Sequence, residues 1–123
     1  DLLRILKSRK RQFQGVIHCF SGNYDLAMAL IELGFCISLP GTVTYKNALD
    51  TRDVAGRIPL ERLLVETDCP YLTPAPFRGK RNEPLYVKHT AEKIAQLRQM
   101  DFEALAQATS ANTIRLFNLP ETL

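Results

Sequence analysis

Cysteine is scarce in this sequence and nowhere closely spaced. Its three residues, Cys19, Cys36 and Cys69, form no CxxC pair. An odd count without that spacing makes neither a disulfide framework nor a zinc knuckle. All three lie in or beside apolar runs and read as small buried residues of a reducing compartment. No apolar stretch approaches the roughly 20 residues that span a bilayer, and no signal-peptide pattern opens the chain. A soluble cytoplasmic protein with no membrane partner is expected. A P-loop, a glycine-rich dinucleotide fingerprint and a nucleophile elbow are also missing. Ser21 and Ser38 have no base nearby in sequence, which leaves serine-hydrolase chemistry unsupported. Histidine is limited to His18 and His89, and no HxH pair occurs.

What is present suits one folded domain. The 123 residues are 46% hydrophobic, enough for a modest core. Lys and Arg number 16 against 13 Asp and Glu, a net charge of +3 that alone does not mark a nucleic-acid binder. The distribution says more. Arg4, Lys7, Arg9, Lys10 and Arg11 crowd the first helix and read as a solvated helix end. Arg78, Lys80 and Arg81 form a second cluster, just after a candidate site strand. The chain opens at Asp1 already in helical periodicity and without an initiator Met, as a segment of a longer gene product would.

Leu2, Leu3, Ile5 and Leu6 predict a helix to about Lys10. Residues 15–20 predict a short buried strand, and Asn23 caps a helix over residues 24–33 that Gly34 stops. A second strand covers residues 35–39 and ends at Pro40-Gly41. A helix is expected over residues 46–56, broken at Ile58-Pro59, and a third strand over residues 63–67. Pro84 opens a helix to about Gln99. Asp101 caps a short helix, and Thr109 or Ser110 caps a last one to about Asn118. Short, nearly continuous apolar strands alternating with helices predict parallel βαβ units. Three strands leave two open edges that invite self-association, whereas a closed parallel barrel takes about 250 residues. The expected fold is therefore α/β, three parallel strands with helices, the closing C-terminal portion of a (β/α)8 TIM-type barrel over residues 1–123.

The chemistry concentrates in Leu63-Leu64-Val65-Glu66-Thr67-Asp68-Cys69-Pro70-Tyr71-Leu72. Side chains alternate along a strand, so Leu64, Glu66 and Asp68 share one face, with acids where the strand stops. His18 sits at the end of the first strand on the face of Val16 and Phe20. Parallel strands end on one rim, so His18 and Asp68 converge there. Imidazole with carboxylate suits a divalent metal ion. Two such ligands fall short of the three that a catalytic centre usually takes from protein. Buried Glu66 needs a partner, and Arg78, Lys80 and Arg81 are candidates, as they are for substrate phosphates. His89 reads as structural or solvent-facing.

On Gly15-Val16-Ile17-His18-Cys19-Phe20-Ser21-Gly22, the Leu63 to Leu72 run and Arg78-Gly79-Lys80-Arg81-Asn82-Glu83-Pro84, the chain resembles the TatD-type metal-dependent deoxyribonucleases. The closing Asn112 to Phe117 run is similar too. The resemblance implies a (β/α)8 barrel with divalent metal ions, Mg, Mn or Zn and two in the intact enzyme, at its C-terminal rim. It implies hydrolysis of phosphodiester bonds in a DNA substrate. His18 and Asp68 match metal ligands of the family, and Asp68 can also orient the attacking water. Glu66 would support these ligands without touching metal, and Arg78, Lys80 and Arg81 would meet phosphate. The family's HxH pair, its middle-strand Glu and a further His have no counterpart here. The C-terminal half of such an enzyme is expected, inactive alone. The alternatives are a non-catalytic binding module and a metal-dependent amide, ester or lactone hydrolase.

Overall fold

The polypeptide runs α1 (Leu2–Ser8), β1 (Gly15–Ile17), α2 (Tyr24–Glu32), β2 (Phe35–Leu39), α3 (Leu49–Arg57), β3 (Leu63–Val65), α4 (Val87–Leu97) and α5 (Phe102–Phe117). This computed structural model describes residues 1–121. The three strands form one parallel sheet in the order β1-β2-β3. Ile17 lies opposite Ile37, and Ile37 and Leu39 lie opposite Leu63 and Val65. That register puts one row of large aliphatic side chains on a single face. The face packs into a core with Leu30 of α2, Val54 and Ala55 of α3, Ile94 of α4 and Leu105 of α5. Covered parallel strands with helical crossovers are the α/β arrangement that the alternating pattern predicted.

Local signals explain most boundaries. Asn23 accepts the Leu26 N–H at 3.0 Å and starts α2. Gly34 ends it with φ +106, where a side chain would run into the Phe13 carbonyl. Arg98 reaches back from the end of α4 to the carbonyls of Ala55 and Ile58, both at 2.9 Å, and ties α4 to α3. Burial lowers the Arg98 pKa, and Glu61 opposes that shift. Asn112, buried in α5, donates to the carbonyls of Leu60 and Leu63 at 2.7 and 2.8 Å. It anchors the last helix to the start of β3.

Several boundaries differ from the sequence reading. α3 begins at Leu49 because a 3-10 turn, Gly41–Thr44, follows β2. Another 3-10 turn, Pro84–Tyr86, precedes α4. The two short closing helices are one continuous α5, capped by Asp101. Thr109 caps nothing. Its hydroxyl donates to the Leu105 carbonyl one turn back at 3.0 Å, which lets it sit inside a helix. β1 and β3 are also shorter than expected. Cys19 takes φ +50, so the chain turns after His18, and Phe20 joins the core face rather than the face of Val16. Among the described residues, no helix is long and apolar enough to cross a membrane.

Candidate metal centre

His18, Glu66 and Asp68 meet at the C-terminal rim of the sheet. One ligand atom from each lies within 4.8 Å of the others. The parallel register produces this meeting. β1 and β3 flank β2, and each extends past its own last residue by one bond to the central strand. Phe20 N–H donates to the Ser38 carbonyl at 3.1 Å, and Glu66 N–H to the Leu39 carbonyl at 3.2 Å. β2 then turns away at Pro40, which leaves the space between the two outer strand ends.

Glu66 occupies that space. Both of its carboxylate oxygens accept the Cys19 N–H, at 3.0 and 2.9 Å. Its partner is thus a backbone amide and not Arg78, Lys80 or Arg81, which make no ion pair among the described residues. The His18 Nδ1 stands 3.9 Å from Glu66 Oε1. The His18 side chain is 77% exposed and that of Glu66 16%, so the imidazole is open to a ligand while the acid behind it is held. Asp68 is exposed, and its φ of +55 bends it off the strand direction, so it does not continue the Leu64–Glu66 face as a strand residue would. The bend brings its carboxylate beside the other two groups.

Asn82 holds that bend and was not singled out from sequence. It is 2% exposed. Its amide donates to the carbonyls of Thr67 and Tyr71 at 2.8 and 2.6 Å, and its Oδ1 accepts the Glu83 N–H at 2.9 Å. Its own N–H donates to the Pro70 carbonyl at 3.0 Å. One side chain therefore clamps the turn on both sides of Asp68. Asn placed before Glu-Pro at the end of the basic loop was the available signal.

The basic loop divides into separate positions. Arg78 lies over the Tyr45 ring at 3.7 Å, and Lys80 approaches the Phe77 ring at 5.9 Å. Arg81 is exposed. His89 is half-buried, with its ring edge-on to Phe77 at 5.2 Å and its Nδ1 3.5 Å from Glu92. Only Cys36 of the three thiols is buried, whereas Cys19 is half-buried and Cys69 exposed. Burial, then Glu66, then Asp68, push the Cys19 thiol above its ordinary value of 9.0.

The His18 imidazole and the Asp68 carboxylate, with Glu66 held behind them, make a mixed nitrogen and oxygen donor set. That set suits Mg, Mn or Zn and disfavours soft ions that need thiolate. A family model described as TatD related DNase matches residues 1–118.

The chain belongs to this family.

Among its TatD-family relatives is the metal-dependent hydrolase YabD of Bacillus subtilis (strain 168), 48% identical over 120 residues. The alignment covers 97% of this chain and 47% of that protein. The metal-dependent hydrolase YcfH of Escherichia coli (strain K12) is also 48% identical over 120 residues, covering 97% and 45%. The crystal structure of YJJV, a TatD homologue from Escherichia coli K12, superposes with a TM-score of 0.84 at 37% identity. That match covers 97% of this chain and 46% of YJJV. The α/β fold is therefore the TatD fold, and the chain spans a little under half the length of these relatives.

Proposed function

We propose that this chain supplies part of the centre of a metal-dependent hydrolase that cleaves phosphodiester bonds in DNA. The convergence of His18, Glu66 and Asp68 on one rim carries the reading. His18 and Asp68 would hold a divalent cation, Mg, Mn or Zn, and the intact enzyme would hold two. Such a cation, when bound, draws charge from a phosphoryl oxygen and acidifies water. Glu66 keeps the turn at Cys19 in place and so sets the direction of His18. The exposed Asp68 carboxylate accepts a hydrogen bond from the attacking water and orients it. Arg78, Lys80 and Arg81 supply positive charge for the phosphates. The chain's unpaired thiols suit a reducing compartment, and the reading places the enzyme in the cytoplasm.

His18 and Asp68 fall short of the three protein ligands usual in a catalytic centre, so this chain alone should cleave DNA slowly or not at all. Supplying the remaining residues of a TatD relative in trans should produce Mg- or Mn-dependent nicking of a plasmid. Asp68→Ala should abolish it. Cleavage indifferent to Asp68→Ala would sink the reading. Hydrolysis of an amide, ester or lactone instead of DNA would keep the fold and change the substrate.

A second reading has one observation in its favour. β1 and β3 each pair on one side only within the described sheet, which leaves two strand edges for a second copy of the chain. Sedimentation would then show dimers, and a monomer at every concentration would dismiss it.

A further inference from the structure

On the same rim as the candidate centre lies a cavity of about 410 Å³ lined by Thr44, Tyr45, Lys46, Asn47, Ala75 and Arg78. Its two walls come from different connections. Thr44, Tyr45, Lys46 and Asn47 follow β2, and Ala75 and Arg78 follow β3. Both connections leave the C-terminal ends of parallel strands, as does the turn that carries His18.

The walls are stitched together. The Tyr45 hydroxyl donates to the Thr73 carbonyl at 2.8 Å. The Thr44 hydroxyl donates to the Gly41 carbonyl at 2.7 Å and accepts the Ala75 N–H at 2.8 Å. The Arg78 guanidinium stacks on the ring so fixed, 3.7 Å from its centroid. A stacked guanidinium keeps its edge N–H donors free while losing little further freedom on binding an anion. Lys46 and Asn47 are exposed beside it, and no carboxylate lines the cavity. Among the described residues neither Arg78 nor Lys46 has an ion-pair partner.

We propose that this cavity is a phosphate subsite, which grips a backbone phosphate of the nucleic-acid strand away from the bond being cut. It rests on the DNA-hydrolase reading. The ligand class is a phosphodiester, held by the Arg78 fork against Tyr45, by the Lys46 ammonium and by the Asn47 amide. Arg78 thereby parts company with Lys80 and Arg81, its neighbours in sequence.

The test is fluorescence anisotropy of a labelled oligothymidylate with the full chain across a salt series, for wild type, Lys46→Gln, Arg78→Gln and the double variant. Each lost phosphate contact removes about 0.7 from the slope of log affinity against log salt. The single variants should each lower the slope by about that amount, and the double variant by about twice as much. Lys93→Gln, on α4, should leave it unchanged. Arg78→Lys should keep the slope but weaken binding, because the charge survives and the stack does not. Equal slopes in wild type and double variant, with melting curves unchanged, would overturn the subsite. If the wild-type chain binds no oligothymidylate, the DNA reading fails first. Tripolyphosphate titration followed by amide NMR then judges the subsite alone. Shifts at Lys46, Asn47 and Ala75 that disappear in the double variant support it. No shift at those amides refutes it.

Discussion

The carboxylate of Glu66 takes the backbone N–H of Cys19 with both oxygens, at 3.0 and 2.9 Å. These two residues are 47 positions apart and belong to the extensions of the two outer strands. The contact closes the rim of the sheet over the end of β2. It fixes the turn at Cys19, whose φ is +50, and through that turn the position of His18. It also leaves a negative charge beside a thiol.

Burial, reinforced by that charge, sets the order of thiol reactivity. Burial and the carboxylates of Glu66 and Asp68 keep Cys19 protonated above the pH at which an ordinary thiol ionises. Thiolate is the reactive form. Alkylation by iodoacetamide near pH 8 should therefore modify exposed Cys69 first, Cys19 more slowly and buried Cys36 last, as read by peptide mass spectrometry. Glu66→Gln should speed Cys19. Labelling of Cys19 as fast as Cys69 in the wild-type chain would contradict the arrangement.

Asn82 should matter to Asp68 without touching it. Asn82→Ala removes a buried amide and strands the carbonyls of Thr67 and Tyr71. The two carbonyls are part-buried, and losing their partner together with the buried amide's packing should cost about 1–2 kcal/mol in urea unfolding. Hydrogen exchange should quicken most over residues 67–72. A uniform rise over the whole chain would mean general destabilisation, with no specific hold on the Asp68 turn.

Two glycines should respond in opposite directions to alanine. At Gly41 a Cβ would collide with the Leu72 carbonyl and approach Pro74 N at 2.9 Å, both backbone atoms of the loop beyond Asp68. Gly41→Ala should cost about 1–3 kcal/mol. At Gly56, in α3, the nearest atom is the Leu97 carbonyl at 3.7 Å. Gly56→Ala should stabilise by about 0.5–1 kcal/mol through helix propensity. Thermal melts of the two variants check both signs.

The parallel sheet was legible because its strands are short, apolar and separated by helix-length crossovers. The meeting of His18 and Asp68 was legible for the same reason, since parallel strands end together. Positive φ values were not. Nothing in strand alternation announces the turn at Cys19, so Phe20 was put on the wrong face. The partner of Glu66 was missed because a backbone N–H leaves no mark in a sequence, while nearby Arg and Lys invite pairing. Thr109 misled because a hydroxyl that caps a helix can also bond one turn back inside it. Asn82 passed unnoticed because its bonds go to main-chain carbonyls of a loop without regular structure.

The central claim is that His18 and Asp68, with Glu66 holding the turn behind them, form a divalent-cation centre. Calorimetric titration of the chain with Mn²⁺ tests it most directly, beside His18→Ala and Asp68→Ala, two exposed positions whose loss should leave the fold intact. The account predicts weak, saturable binding of one ion in the wild-type chain that each substitution abolishes. Heat of dilution alone in the wild type, or binding that survives both substitutions, would contradict it.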